Sequence, residues 1–245
     1  MLLLLILIVI LLVCILLCMN RPRVLVLQTC DGVKYKDLAD LSESVNRKYA
    51  NRHGYDYKRF DGIKRGGLPW HATFNRIYLI DEEIERGYYD WVIYIDVDAI
   101  VVDHGKSIED FFDYKYGLIA CRGASDDPEI FWDINAGVLI YNLRNLHIKQ
   151  IVQRWREDYE KFSIEYLSAD GDSAFKNLGN RVCDQGLLQD IIRSLGPDVV
   201  KVYRGDEHDA FNYDGPFIKQ ILRTHDDGTD SRLDKMKRVI ETSKI

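Results

Sequence analysis

The 245-residue sequence lacks the features that mark several common classes of protein. It contains five cysteines, no C-x-x-C pair and no block rich in lysine and arginine. Cys30, Cys121 and Cys183 are scattered, so they do not form a disulfide framework or a zinc-binding pattern. Acidic residues outnumber basic residues by 39 to 33, which gives a formal net charge of −6. This balance argues against nucleic acid as the main partner.

Charge is also absent from the N-terminal run Met1 to Met19, which contains Cys14 and Cys18. About 20 consecutive apolar residues are needed to cross a bilayer. We therefore predict that residues 1–20 form an uncleaved transmembrane signal-anchor. A cleaved signal peptide is the alternative, but such peptides have a basic segment, a shorter apolar run and small residues at the cleavage site. Leu17-Cys18-Met19 lacks such small residues.

The flanks of the apolar run bear on orientation and compartment. Arg21 and Arg23 follow it, and no Pro/Ser-rich stalk separates it from the rest of the chain. Positive residues on that side favour a domain in the cytosol. Residues 21–245 are numerous enough for one large domain with a substantial core.

Apolar periodicity in residues 21–245 predicts an α/β domain. Strands and helices alternate in the first half, which is typical of βαβ units and a mainly parallel sheet. The predicted strands are 23–29, 55–60, 91–95, 100–102, 116–121 and 134–142. Leu38, Leu41, Val45 and Tyr49 recur at helical spacing and predict a first helix that ends at His53-Gly54. The other predicted helices are 70–86, 146–159, 184–195 and 230–244.

One stretch, WVIYIDVDAIVVD from Trp91 to Asp103, places two carboxylates where an apolar strand ends. Ligands of parallel sheets bind beyond the carboxyl ends of strands. Asp96 and Asp98 on a turn can face one site, and hard divalent cations such as Mg²⁺ and Mn²⁺ prefer oxygen ligands. We predict that the pair binds a cation; a solvated turn is the alternative.

Three segments together resemble a known family. Asn46-Arg47-Lys48-Tyr49-Ala50, His53-Gly54-Tyr55-Asp56 and Tyr94-Ile95-Asp96-Val97-Asp98-Ala99 look like the galactosyl-, mannosyl- and xylosyltransferases of the fungal GMA12/MNN10 and plant xyloglucan xylosyltransferase type. The chain resembles glycogenin-like transferases more distantly. The resemblance covers about residues 24–225. It implies a GT-A-like (Rossmann-like) single domain in residues 21–245, with a mixed, mainly parallel central sheet. The transmembrane helix precedes this domain in the chain.

The resemblance also implies roles for individual residues. Arg76 takes the place of a basic residue, usually lysine, that contacts donor phosphates; an exposed helix charge is the alternative. Asn135-Ala136-Gly137 matches a strand end lining the sugar pocket, although an ordinary strand opening would look the same. Asp184-Gln185 matches an acidic-Gln pair near the reacting sugar carbon. Cys183 stands where the family often has a second acid, and Asp184 could instead cap a helix.

The remaining site assignments concern the metal and the nucleotide. His225, followed by Gly228, matches the third metal ligand beside Asp96 and Asp98, because a neutral imidazole suits Mn²⁺. His208 is the rival ligand, and a surface histidine is the other alternative. The end of the first strand, with Thr29 and Asp31, is where such folds place the base and ribose.

The resulting hypothesis is a metal-dependent retaining glycosyltransferase. It would move galactose, mannose or xylose from a UDP- or GDP-linked donor to a hydroxyl of a glycan or glycoconjugate, with Mn²⁺ or Mg²⁺ as cofactor. Retention allows a front-face route or a covalent intermediate on Asp184. The alternatives are a catalytically degenerate, membrane-anchored protein that binds sugar nucleotides or glycans, and a phosphatase that uses a D-x-D pair. The family suggests a Golgi lumenal domain, whereas the flanking arginines suggest the cytosolic face.

Overall fold

The computed structural model describes residue 6 and residues 21–162, 183–204, 210–211, 213, 215–222 and 232–245. Within these residues, no helix combines the length and apolarity needed to span a bilayer. The predicted anchor, residues 1–20, lies outside the described part except for Ile6.

A six-stranded mixed sheet forms the centre of the described structure. Its strand order is β2-β1-β3-β6-β5-β7. β1 pairs in parallel with β2 and β3, β5 pairs in parallel with β7, and β6 runs antiparallel to β3 and β5. The strands are β1 Val24–Cys30, β2 Asp56–Asp61, β3 Trp91–Ile95, β5 Leu118–Arg122, β6 Ile134–Asn142 and β7 Val200–Tyr203. A second, two-stranded sheet pairs β4 (Ala99–Val101) with β8 (Ile218–Gln220). The predicted α/β class and mainly parallel sheet are confirmed.

The helices follow the predicted apolar periodicity closely. In the described part of the chain they are α1 Lys36–His53, α2 Asn75–Arg86, α3 Leu146–Glu160, α4 Asp184–Leu195 and α5 Arg232–Ser243. Short 3-10 helices span Pro69–Phe74, Ile108–Phe111 and Pro197–Val199. Helix α1 ends because Gly54 adopts a left-handed φ of 71°, which glycine accepts without a steric penalty.

Two apolar layers enclose the central sheet because side chains alternate along each strand. In β3, Val92 and Tyr94 face the layer built with α2, α3 and α4, whereas Trp91, Ile93 and Ile95 face the opposite layer. A third cluster joins α1 to α5 and includes Leu38, Val45, Ile100 and Met236. The sheet is therefore covered on both faces, and its strand ends remain as the places where a ligand can enter.

Sequence and structure differ mainly at short elements. The predicted helix 70–86 begins as the 3-10 helix Pro69–Phe74, because Pro69 follows an extended Leu68 and fits the first position of a helix. The resumed strand is Ala99–Val101, one residue earlier than predicted. Strands β7 and β8, with four and three residues, were not predicted because neither is long enough to show a reliable alternation.

Asn46 provides a test of how β4 is held. This fully buried side chain donates to the Ala99 carbonyl at 3.0 Å and accepts from the Val101 N–H at 2.9 Å. Replacing Asn46 with alanine leaves two buried backbone groups without these partners. We expect Asn46→Ala to lower the free energy of unfolding by about 2–4 kcal/mol, measured by urea titration. The exposed neighbour Lys48→Ala is the control, with a change within about 0.5 kcal/mol; equal effects in the two variants would contradict the assignment.

Candidate functional site

A cavity of about 620 Å³ opens at the carboxyl ends of β1 and β3. This is where α/β sheets bind ligands, and the volume falls in the range of small-molecule sites. Nine residues predicted for the site line the cavity: Thr29, Asp31, Arg76, Asp96, Asp98, Asn135, Gly137, Asp184 and Gln185. His225 and its rival His208 lie outside the described residues.

The two aspartates sit on a turn that backbone hydrogen bonds define. Asp96 follows β3 directly, and its N–H donates to the Gly137 carbonyl at 2.8 Å. The Ala99 N–H donates to the Asp96 carbonyl at 2.9 Å and closes the turn. The side chains of Asp96 and Asp98 are only 28% and 13% exposed. The turn is therefore partly enclosed, unlike the solvated turn considered as the alternative.

Arg76 lies beneath Asp96 and ties four chain segments together. Its Nη2 contacts Asp96 Oδ1 at 2.8 Å and Asp184 Oδ2 at 3.0 Å. Its Nε donates to the Thr73 carbonyl at 3.1 Å, and its Nη1 donates to the Ala136 carbonyl. Only 3% of Arg76 is exposed, so the alternative of an exposed helix charge is wrong. Each of its three side-chain nitrogens therefore has an acceptor within the protein.

Asp98 is held by residues from the C-terminal part of the chain. Its Oδ1 accepts from Gln220 Nε2 at 3.2 Å, and its Oδ2 accepts from Arg232 Nη1 at 2.7 Å. The Asp98 carbonyl also accepts from the Ile221 N–H at 2.7 Å. Gln220 ends β8 and Arg232 begins α5, so the small sheet and the last helix both converge on this carboxylate.

The predicted Asn135-Ala136-Gly137 segment links β6 to α4. The Asn135 side-chain oxygen accepts from the Gly137 N–H at 2.7 Å, and Gln185 Oε1 accepts from the Ala136 N–H at 3.0 Å. A Cβ added at Gly137 would overlap the Gln220 side chain. Gly137 therefore allows the close approach of the Gln220 side chain.

The start of α4 corrects one expectation about Asp184. The residue that caps this helix is Cys183, which has an extended backbone and accepts the Gly186 N–H on its sulfur at 3.1 Å. Asp184 is the first helical residue, and its side chain extends to Arg76. The Asp184 carbonyl accepts from the indole of Trp155 at 3.1 Å, which joins the site to the apolar core.

Burial and neighbouring charge set the titration of the acids. Burial raises the pKa of Asp96 to about 7, with Arg76 opposing the shift and the charges on Asp98 and Asp184 adding to it. Burial also raises the pKa of Asp98, although Arg232 and Gln220 lower it. Burial therefore disfavours the ionised form of both carboxylates, and the neighbouring arginines oppose this effect.

The residues predicted to meet the nucleotide also shape the cavity wall. The Thr29 hydroxyl accepts from Asn75 Nδ2 at 2.9 Å. The Asp31 carboxylate accepts from the backbone N–H groups of Val33, Lys34 and Tyr35 at 3.0–3.2 Å. The described contacts of Asp31 are therefore to the protein backbone, and they fix the loop between β1 and α1.

The donor set is chemically suited to a hard divalent cation. Carboxylate oxygens of Asp96 and Asp98 face one cavity, and oxygen ligands suit Mn²⁺ and Mg²⁺. The hydrogen bonds from Arg76 and Tyr94 both reach Asp96 Oδ1, not Oδ2. Among the described residues, no cluster of three or more His, Cys, Asp or Glu side chains could hold a metal. The two aspartates fit part of a metal site, and the predicted third ligand belongs to residues that are not described.

Three residues at the site were not predicted. The Tyr94 hydroxyl donates to Asp96 Oδ1 at 3.0 Å, and its position two residues before Asp96 was a usable signal. Gln220 and Arg232 contact Asp98 from 122 and 134 residues away in sequence. Their local sequence shows no pattern that would connect them to the aspartates.

The comparisons with known proteins identify the fold. No family model matches the sequence, and no curated protein matches it either. Among solved structures, the chain is similar to a glycosyltransferase involved in glycosylation of the major capsid of PBCV-1. That match has a TM-score of 0.59 and 16% identity, and it covers 90% of this chain and 100% of the other.

A second similar structure is the glycosyltransferase GlyE of Streptococcus pneumoniae TIGR4. Its TM-score is 0.52 at 19% identity, and the match covers 92% of this chain and 61% of GlyE. At such low identity the likeness shows the fold alone. The chain therefore has the GT-A-like fold of these glycosyltransferases, which agrees with the fold that the sequence predicted. The GMA12/MNN10 or xylosyltransferase assignment stays a prediction.

Arg76 allows a direct test of the buried ion pairs. Arg76→Met leaves the Asp96 and Asp184 carboxylates without their shared guanidinium. We expect a loss of about 3–5 kcal/mol in the free energy of unfolding, measured in EDTA so that adventitious metal does not compensate. Arg76→Lys should lie between wild type and Arg76→Met, because one ammonium cannot make all the contacts of a guanidinium.

The control for Arg76 is Arg52→Met on α1. Arg52 is exposed, and its replacement should change the free energy of unfolding by no more than about 0.5 kcal/mol. If Arg76→Met were no more destabilising than Arg52→Met, the network of contacts around Arg76 would not be holding the site together.

Proposed function

We propose that the protein is a metal-dependent retaining glycosyltransferase that transfers galactose, mannose or xylose from a nucleotide-diphosphate sugar to a glycan hydroxyl. The observation that carries the proposal is the convergence of Asp96, Asp98 and Asp184 on one cavity at the strand ends of a GT-A-like fold. A uridine or guanosine diphosphate sugar is a ligand of suitable size for this cavity.

The charge of the cavity wall supports a divalent cofactor. The described lining residues include four acids, Asp31, Asp96, Asp98 and Asp184, and three bases, Lys34, Arg76 and Arg232. Four acids against three bases leave a formal charge of −1, which does not attract a diphosphate. Asp96, Asp98 and the predicted ligand His225 would hold Mn²⁺ or Mg²⁺, which would supply positive charge to offset that of the departing diphosphate.

The residues of α4 would act at the sugar end of the cavity. The Arg76 contact fixes the Asp184 carboxylate at 3.0 Å from a guanidinium nitrogen, in a cavity-lining position. Asp184 is the candidate nucleophile if retention uses a covalent intermediate. In the front-face alternative the leaving phosphate takes the acceptor proton, and Asp184 orients the sugar. Gln185, which accepts from the Ala136 N–H, positions β6 against α4.

One observation favours a second candidate, a catalytically degenerate protein that binds sugar nucleotides. Both aspartates contact arginines, Asp96 through Arg76 and Asp98 through Arg232. A guanidinium on each carboxylate balances its charge and competes with a metal ion. In that case the cavity would bind a donor without turning it over.

The proposed compartment is the Golgi or another endomembrane, with residues 1–20 as a membrane anchor. The rival orientation, with the domain in the cytosol, follows from Arg21 and Arg23. Protease digestion of sealed vesicles distinguishes them, because a lumenal domain is protected and a cytosolic domain is cleaved.

The first functional test uses the full chain with Mn²⁺ and a panel of UDP-galactose, UDP-xylose and GDP-mannose. We expect release of UDP or GDP from one donor, lowered about 100-fold or more by Asp98→Asn. Asp103→Asn is the matched control, because Asp103 belongs to the same sequence stretch but is exposed. Equal release of UDP or GDP by the two variants would contradict the assignment of Asp98 as a metal ligand.

If no donor is broken down, calorimetry with UDP and GDP tests whether the protein binds the nucleotide without catalysis. Binding that requires Mn²⁺, without donor breakdown even when glycan acceptors are added, would support the degenerate protein. No binding of either nucleotide would overturn both candidates. Release of phosphate from simple monoesters would instead favour the phosphatase hypothesis.

Gly137 gives a second, geometric test. Gly137→Ala should push the Gln220 side chain away from Asp98, since the added methyl group overlaps it. We expect donor breakdown to fall about 10-fold or more while the fold persists, because the displaced group is the flexible end of a side chain. Gly67→Ala is the control, because a Cβ there meets nothing within 4 Å. Unchanged activity in Gly137→Ala would show that the Gln220 contact does not matter.

A further inference from the structure

The end of the domain opposite the cavity carries exposed apolar side chains. Tyr88, Tyr114 and Leu146 are 52%, 66% and 78% exposed. They lie just before β3, just before β5 and just after β6, at the strand ends farthest from the cavity. We call this surface the basal face and define it by Arg23, Tyr88, Tyr114, Lys115, Arg144 and Leu146.

Contacts join these residues into one continuous surface. The Arg23 guanidinium lies 4.6 Å from the centre of the Tyr88 ring. Arg23 and Arg144 both pair with Asp90, at 3.7 and 2.7 Å. On the other side, Asn145 Nδ2 donates to the carbonyls of Lys115 at 3.0 Å and Tyr114 at 3.4 Å. Leu146 follows Asn145 directly and begins α3.

The basal face combines basic and aromatic groups. The side chains of Arg23, Arg144 and Lys115 are 44%, 47% and 62% exposed. Asp90, which pairs with the two arginines, is only 25% exposed, although Asp198 beside Lys115 is 81% exposed. Tyrosine side chains with basic neighbours suit the boundary between a bilayer and water, where the ring is partly apolar and the hydroxyl stays hydrated.

The chain itself brings the basal face towards the apolar run. Only Arg21, Pro22 and Arg23 separate Asn20 from the first residue of β1. Three extended residues span about 10 Å. If the uncharged run Met1–Met19 lies in a bilayer, the start of β1 stays within about that distance of the bilayer surface. The end of the sheet at which β1 begins is also the end that carries Tyr88 and Arg144.

We propose that the basal face lies on the headgroups of a phospholipid bilayer. Leu146 and Tyr114 enter the interface, and Arg23, Arg144 and Lys115 contact lipid phosphates. The cavity at the opposite strand ends then opens away from the bilayer. The proposal concerns membrane contact and does not depend on the proposed sugar transfer.

The test uses the full chain reconstituted in vesicles of phosphatidylcholine and phosphatidylserine. Single variants Tyr114→Cys and Leu146→Cys are labelled with an environment-sensitive fluorophore, and lipids that carry a quencher near the headgroup are added. Val33→Cys is the matched control, because Val33 is 82% exposed on the loop after β1, at the cavity end. The unaltered chain, treated with the same label, gives the background from its native cysteines.

We expect loss of fluorescence at positions 114 and 146 and none at position 33. Quenching at position 33 alone, or at no position in a chain that resists carbonate extraction, would overturn the proposal. Cross-linking of two chains through position 146 without lipid quenching would assign the face to a second copy and also overturn it. If carbonate extracts the chain from the vesicles, the run Met1–Met19 does not anchor it in the bilayer. The basal face would then not be held near lipid, and the proposal would be wrong.

Discussion

The site depends on one buried guanidinium. Arg76 contacts carboxylates at the end of β3 and the start of α4, and it also binds the carbonyls of Thr73 and Ala136. Two desolvated carboxylates would repel each other and destabilise the folded state without a shared counter-charge. The positions of the strand end, the helix start and the first residues of β6 are therefore coupled through a single side chain. This coupling explains why the cavity floor is built from segments far apart in sequence.

Much of this architecture was predictable because its signals are local. Apolar runs followed by turn residues define β3, and the predicted bounds Ile134–Asn142 and Asp184–Leu195 agree with the structure. The contacts of a charged side chain, by contrast, cannot be read from its neighbours in the sequence. The phosphate contact expected of Arg76 stays a prediction, whereas its contacts with Asp96 and Asp184 could not be inferred from its local sequence. Gln220 and Arg232 reach Asp98 from distant elements, so only the assembled fold shows them. The capping role of Cys183 was missed because cysteine is an unusual residue for that position.

The described cavity wall has a nearly balanced charge. It carries four acids and three bases, so a diphosphate alone would meet no excess of positive charge. Under the proposed function, a divalent cation beside Asp96 and Asp98 would make the wall locally positive. The cation would compete with Arg232 for Asp98, and Arg232 begins the helix that packs on α1 through Met236. Donor binding would then be coupled to the position of α5.

Under the proposed function, the position of the cavity would also limit the acceptor. Strand β6 runs from the cavity-lining residues Asn135–Gly137 to Asn142 at the basal face. The five steps from Gly137 to Asn142 span about 17 Å at roughly 3.4 Å per residue. If the basal face rests on lipid, the cavity stands at least about this far from the headgroups. A hydroxyl on a lipid headgroup would not reach it, whereas a soluble glycan or the outer sugars of an extended glycoconjugate would. The same sheet that positions the aspartates would then also select acceptors by their height above the bilayer.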